Sequence, residues 1–115
     1  MREEVHRPWG YFCVLEDAPR HKVKRIVIRS GQRLSLQKHG HRSEHWFILE
    51  GRAIVTRDHE ETLLSAGESI NIPEGAWHRV KNPGNIPLVF IEVQTGEYFD
   101  ENDITRAEDD YGRAQ

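Results

Sequence analysis

The chain has 115 residues, with 16 Lys and Arg against 19 Asp and Glu and a formal net charge of −3. That length suits one domain with a single core, and so even a balance offers no field for nucleic acid or a membrane surface. No apolar run approaches the about 20 residues that span a bilayer, the charged N-terminus lacks a signal-peptide core, and one cysteine, Cys13, leaves no internal disulfide, so a cytoplasmic location is expected.

Taken in order, residues 11–15 are β-prone and end at Glu16-Asp17-Ala18-Pro19. Cys13 reads there as a small buried hydrophobe. Residues 23–28 are rich in branched side chains and stop at Ser30-Gly31. Further strands are expected over 46–49, 53–56, 69–72, 77–80 and 88–93, separated by turn residues such as Asp58-His59-Glu60 and Asn82-Pro83-Gly84-Asn85. The core spans about residues 7–96, and residues 97–115 form a polar tail with one short helix expected near Ile104 to Glu108. Regular short strands without a long helical period predict an all-β antiparallel sandwich or barrel in a single domain, residues 1–115.

The densest pattern runs from Gly31 to Gly51. Five residues separate Gly31 from Gln37, one separates Gln37 from His39, four separate His39 from Glu44, and six separate Glu44 from Gly51. Side chains two apart on a strand share a face, so Gln37 and His39 point the same way. A tight turn over 40–43 and a returning strand would then form a hairpin that aims Gln37, His39 and Glu44 at one point. A second cluster follows: Gly67, five residues, Pro73, one, Gly75, two, His78, three, Asn82. The donor types, amide and carboxylate oxygen plus imidazole nitrogen, suit Zn, Mn, Co, Fe or Ni without selecting one. His39 and His78 are two of seven histidines, and either alone is equally compatible with a satisfied core or surface residue.

Together the two spacings resemble the paired motifs of the cupin superfamily, with Gln37 where that family carries His. The resemblance implies a cupin fold, a double-stranded β-helix or jelly-roll barrel. It also implies one divalent metal ion held by Gln37, His39, Glu44 and His78, able to act as a Lewis acid on a hydroxyl or carbonyl oxygen.

The stretch Gln37-Lys38-His39-Gly40-His41-Arg42-Ser43-Glu44-His45-Trp46 resembles more closely the signature of type II phosphomannose isomerases, Gln included. The likeness extends to Arg7-Pro8-Trp9-Gly10, Lys22-Val23-Lys24-Arg25-Ile26, the segment 72–84, Ile91-Glu92-Val93-Gln94-Thr95-Gly96 and Glu108-Asp109-Asp110-Tyr111-Gly112-Arg113. In many members this unit is the C-terminal half of a longer protein that begins with a nucleotidyltransferase domain. Only the isomerase half is matched, so the resemblance implies interconversion of mannose 6-phosphate and fructose 6-phosphate and not GDP-mannose synthesis.

Such a reaction needs a group that moves a proton between C1 and C2 and a cation for the phosphate. His41 and Arg42, on the expected turn at the barrel mouth, suit proton transfer and bidentate phosphate binding. Lys24, or its neighbour Lys22, is a further anchor or base, though a solvated strand end fits both equally. His45 belongs to the signature but has the opposite parity to Glu44, which turns it from the ion and ranks it below His41. Trp46 shares a face with Glu44 and would wall the pocket, while Trp9 and Trp77 suit core or interface. Leu34 and Leu36 oppose Ser35 and Gln37 and need a covering layer, which a homodimer or a strand of the same chain would supply. A non-catalytic cupin that binds a sugar or sugar phosphate remains open. So does a metal-dependent oxygenase, although the basic residues favour an anionic small molecule.

Overall fold

Along residues 42–50 every second side chain is buried: Arg42, Glu44, Trp46 and Ile48 point in, and His45, Phe47 and Leu49 stay exposed. That period of two is the mark of a strand with one face on a core. The structure, a computed structural model, describes residues 3–97, 99 and 103–111. In them run β1 (Val5–Arg7), β2 (Gly10–Asp17), β3 (His21–Ile28), β4 (Leu36–His39), β5 (Arg42–Glu50), β6 (Arg52–Arg57), β7 (Glu60–Ser65), β8 (Ser69–Ile72), β9 (His78–Lys81), β10 (Leu88–Gly96) and β11 (Ile104–Glu108).

The strands form two antiparallel sheets, one ordered β1-β2-β3-β10-β5-β8 and the other β11-β4-β9-β6-β7. Ile26, Ile28, Ile48, Val55, Val80, Leu88 and Phe90 pack between them as one buried cluster. The all-β expectation holds, and each expected strand is present within a few residues. Among the described residues no helix is long and apolar enough to cross a membrane.

Three expectations are corrected. Residues 104–108 form a strand, not a helix, because they pair antiparallel with β4, from Ile104↔His39 to Glu108↔Leu36. Ladder hydrogen bonds on an open sheet edge outweigh a weak local preference, and the β-branched pair Ile104-Thr105 already favoured a strand. The motif residues also do not form a hairpin. β4 and β5 lie in opposite sheets, so the turn between them crosses the sandwich, and their inward side chains meet across the interior. The alternation expected through 34–37 is interrupted too. Ser35 is fully buried, and Leu34 packs against the core.

Close approach at one end of the barrel depends on Gly96, the β10 partner of Arg42. A Cβ there would lie 2.4 Å from the carbonyl oxygen of His41 and 2.9 Å from the Cα of Arg42. Its φ of 150° lies in a region that L side chains rarely adopt. Glycine therefore lets β10 seat the start of β5 tightly.

Candidate metal centre

β4 brings His39 and β9 brings His78 from one sheet, and β5 brings Glu44 from the other. One ligand atom from each lies within 4.8 Å of the others, and all three residues are buried. Glu44 is the hub. Its Oε2 lies 3.2 Å from His39 Nε2 and accepts from Arg42 Nε at 3.2 Å. Its Oε1 accepts from Trp46 Nε1 at 3.0 Å and lies 3.9 Å from His78 Nε2. The two imidazoles sit with ring centroids 4.9 Å apart, and Trp46 meets His78 edge-on at 5.6 Å.

Hydrogen bonds orient these donors. His78 Nδ1 donates to the carbonyl of Ala76 at 3.1 Å, which leaves Nε2 unprotonated and facing Glu44. Gln37, directly opposite His78 across the β4–β9 ladder, donates through Nε2 to Ser35 Oγ at 2.8 Å. That bond leaves its carbonyl oxygen as the donor-type atom of a residue that lines the cavity. His39 Nδ1 is buried and has no hydrogen-bond partner. Two imidazoles and a carboxylate at this spacing, with the Gln37 amide on the same cavity wall, fit a borderline divalent ion.

Electrostatics favours the ligand-competent forms. Burial holds the His78 imidazolium below its ordinary pKa, overcoming the attraction of Glu44. Burial pushes Glu44 up, but its close neighbours, His39 first and then His78, outweigh burial and hold the carboxyl well below the usual range. Glu92 behaves oppositely: burial, and then the neighbouring Glu44 charge, push it up to about 8. Lys24, its partner across the β3–β10 ladder, is lowered by burial against the pull of Glu92. One carboxyl is thus held ionised while its neighbour retains a proton.

The sequence-derived residues divide sharply. Gln37, His39, Glu44, His78, Lys24, Arg42 and Trp46 line one cavity. Arg42 was expected on the turn. It is instead the first residue of β5, 5% exposed, and donates to Glu44, to His39 Nε2 at 3.1 Å and to the carbonyl of Phe99 at 3.0 Å. Alternation explains this, since Arg42 lies two residues from Glu44 and shares its inward face. His41 remains on the turn, exposed, with its backbone N–H and that of Gly40 held by the Asp103 carboxylate. It does not belong to the cavity lining. His45 faces outward as its parity predicts and bonds Asn71. Trp9 is core, and Trp77 is half-buried under Lys38 Nζ.

Sequence reasoning missed Glu92 and Gln94, both buried beside Glu44, and the cavity cations Arg79 and Arg106. Gln94 donates to Glu92 at 2.9 Å, and its Oε1 is buried without a hydrogen-bond partner. The signal for the pair was present. Glu92 and Gln94 continue the inward parity of Leu88 and Phe90, so two polar groups stand where apolar ones are expected.

The sequence matches, over residues 1–109, the family described as Mannose-6-phosphate isomerase C-terminal. The chain belongs to that family. It is 50% identical over 113 residues to "Mannose-1-phosphate guanylyltransferase ManC" of Salmonella typhimurium, covering 98% of this chain and 24% of that protein. The chain thus spans about a quarter of the length of the curated relatives it matches. The capsular polysaccharide assembling protein CapF of Staphylococcus aureus superposes with a TM-score of 0.84 at 23% identity, over 94% of this chain and 34% of that one. The Schizosaccharomyces pombe Cnp3 cupin domain does so with a TM-score of 0.72 at 17% identity, over 75% and 64%. The fold is a cupin.

Proposed function

We propose that this chain interconverts mannose 6-phosphate and fructose 6-phosphate with one divalent ion held by Gln37, His39, Glu44 and His78. The observation that carries this reading is the content of a single cavity: metal-type donors, buried proton-carrying groups and several cations. A phosphorylated aldose needs all three. A bound ion supplies Lewis-acid polarisation of a sugar oxygen. The chain's own residues do the rest. A base takes the proton from C2 of the aldose to give the enediol, and the proton is returned to C1, while the hydroxyl proton leaves O2 and O1 gains one. We assign this transfer to the Lys24–Glu92 pair and not to the exposed His41. Arg42, bonded to Glu44 and His39, fixes the donors and adds positive charge where a sugar oxyanion develops. Gln94 Oε1 accepts from a sugar hydroxyl. The guanylyltransferase activity for which ManC is named is said of that longer protein.

The test is solvent deuterium exchange into mannose 6-phosphate or fructose 6-phosphate, alongside a coupled assay. Wild type should exchange label and turn over. Lys24→Met should lower kcat by about 10²–10⁴-fold, the usual cost of losing an acid or base, with the ion retained. Absence of both exchange and turnover in metal-loaded wild type removes the isomerase reading and leaves a sugar-phosphate-binding cupin.

A further inference from the structure

Arg42, the cation that the sequence offers for the phosphate, is committed to the ion's ligands at 3.1 and 3.2 Å. A hexose 6-phosphate bound through the carbonyl end has its phosphate at the far end of a six-carbon chain, so another residue must take it. Arg79 spends Nε on the carbonyl of Leu34 and its terminal nitrogens on Glu108. Lys24 is half-buried opposite Glu92, with Nζ 4.5 Å from the centre of the Phe12 ring.

Arg106 also lines the cavity and has an interaction of its own, and what sets it apart is its position in the sheet. On β11 it sits directly opposite Gln37, which sits directly opposite His78. Directly opposed residues share a sheet face. Arg106, Gln37 and His78 therefore form one row across three strands, and all three line the cavity. Strands are about 4.8 Å apart, so the backbone of Arg106 lies about 10 Å from that of His78, the reach of an extended sugar phosphate. The register of β11 shifts immediately after Arg106, so that Glu108 and not Ala107 pairs with Leu36. Such bulges beside active sites re-aim a side chain. Both ends of the segment are anchored. Asp103 accepts from Gly40 N and His41 N at 3.0 Å each, and Asp110 takes Arg33 in two bonds of 2.7 and 2.8 Å.

We infer that Arg106, carried into line with Gln37 and His78 by β11, is the residue that binds the phosphate of the sugar substrate and selects phosphorylated over free sugars. The inference rests on the sugar-phosphate reading above. A guanidinium meets phosphate with a bidentate fork and keeps its charge at any working pH.

Calorimetry of the metal-loaded full chain with mannose 6-phosphate and with free mannose tests it, using Arg106→Gln and Arg106→Lys. Hydrogen bonds to charged groups are worth about 1.5–3 kcal/mol. Arg106→Gln should therefore bind mannose 6-phosphate about 10–100-fold more weakly and raise KM with kcat little changed. Arg106→Lys should fall between, and the weak binding of mannose should stay unaltered. Hydrogen exchange of wild type should show slowed amides over residues 104–108 when mannose 6-phosphate is added, a readout that holds even if a variant fails to fold. Wild-type affinity retained in Arg106→Gln, or no protection of that segment, overturns the inference and leaves the isomerase reading intact. Arg106-dependent binding without turnover sustains the phosphate site while the isomerase reading falls. No binding of mannose 6-phosphate by wild type overturns both.

Discussion

The barrel interior has two halves that differ in kind. On β10 the inward residues change from Leu88 and Phe90 to Glu92 and Gln94; on β5 they change from Ile48 and Trp46 to Glu44 and Arg42. The strands run antiparallel with Phe90 opposite Ile48, Glu92 opposite Trp46 and Gln94 opposite Glu44, so the two changes are offset by one inward pair. One half is closed by apolar burial, worth about 25 cal/mol per Å². The other buries ionisable groups, which is costly unless each is bonded or paired. The contrast teaches that the same strands stabilise the fold at one end and hold ionisable groups at the other, separated by about two residues per strand.

The largest way to test that division is to remove the ion. His39→Ala and His78→Ala should each lose most bound metal by elemental analysis, and both retaining it in full would sink the site. Chelation of wild type should lower its melting temperature, since an ion that binds only the folded state stabilises it by mass action. In the apolar half, Phe90→Ala should destabilise by about 3–5 kcal/mol in denaturant titration. A loss below about 1 kcal/mol would mean that this half is not the source of stability.

Two residues along the same face, Glu92→Gln should act with the opposite sign. Because the Glu92 carboxyl is pushed up to about 8, the folded state binds its proton more tightly than the unfolded chain does. The resulting stability is fully present below the unfolded value near 4.5 and is lost as pH rises through about 8. Metal-free Glu92→Gln should lack that slope, so its stability relative to wild type should rise between pH 5 and 8. Parallel curves would refute the shift. The smallest effect is expected outside the barrel. Phe47 and Leu49 are each 42% exposed on the outer face of β5, with Ile91 opposite Phe47 on β10. We propose that a second copy covers this apolar strip. Light scattering should then give a dimer mass for wild type and a monomer mass for Phe47→Asp, with melting little altered; a wild-type monomer at micromolar concentration ends that proposal.

How much of this was legible follows from where each signal lives. The spacing of Gln37, His39, Glu44 and His78 is local and periodic, so the sequence alone could nominate a donor set. The sheet to which each donor belongs was not legible, because a four-residue turn looks the same whether it closes a hairpin or crosses a sandwich. Arg42 was misplaced for the same reason: the start of β5 is fixed by its pairing with Gly96, more than fifty positions away. Glu92 and Gln94 were readable from parity, yet their meaning depends on Glu44 standing beside them. β11 was the least legible, since beyond the β-branched pair Ile104-Thr105 what holds it extended is the edge of β4.

That dependence runs in both directions. β4 pairs with β9 at the single position Gln37↔His78, but with β11 at four positions. Without β11, the strand carrying Gln37 and His39 would present a row of bare N–H and C=O groups, an invitation to pair with any passing strand. The C-terminal segment is thus a guard against aggregation as much as a part of the barrel. An expression variant shortened before residue 104 should precipitate or self-associate through β4 before any question of its chemistry arises.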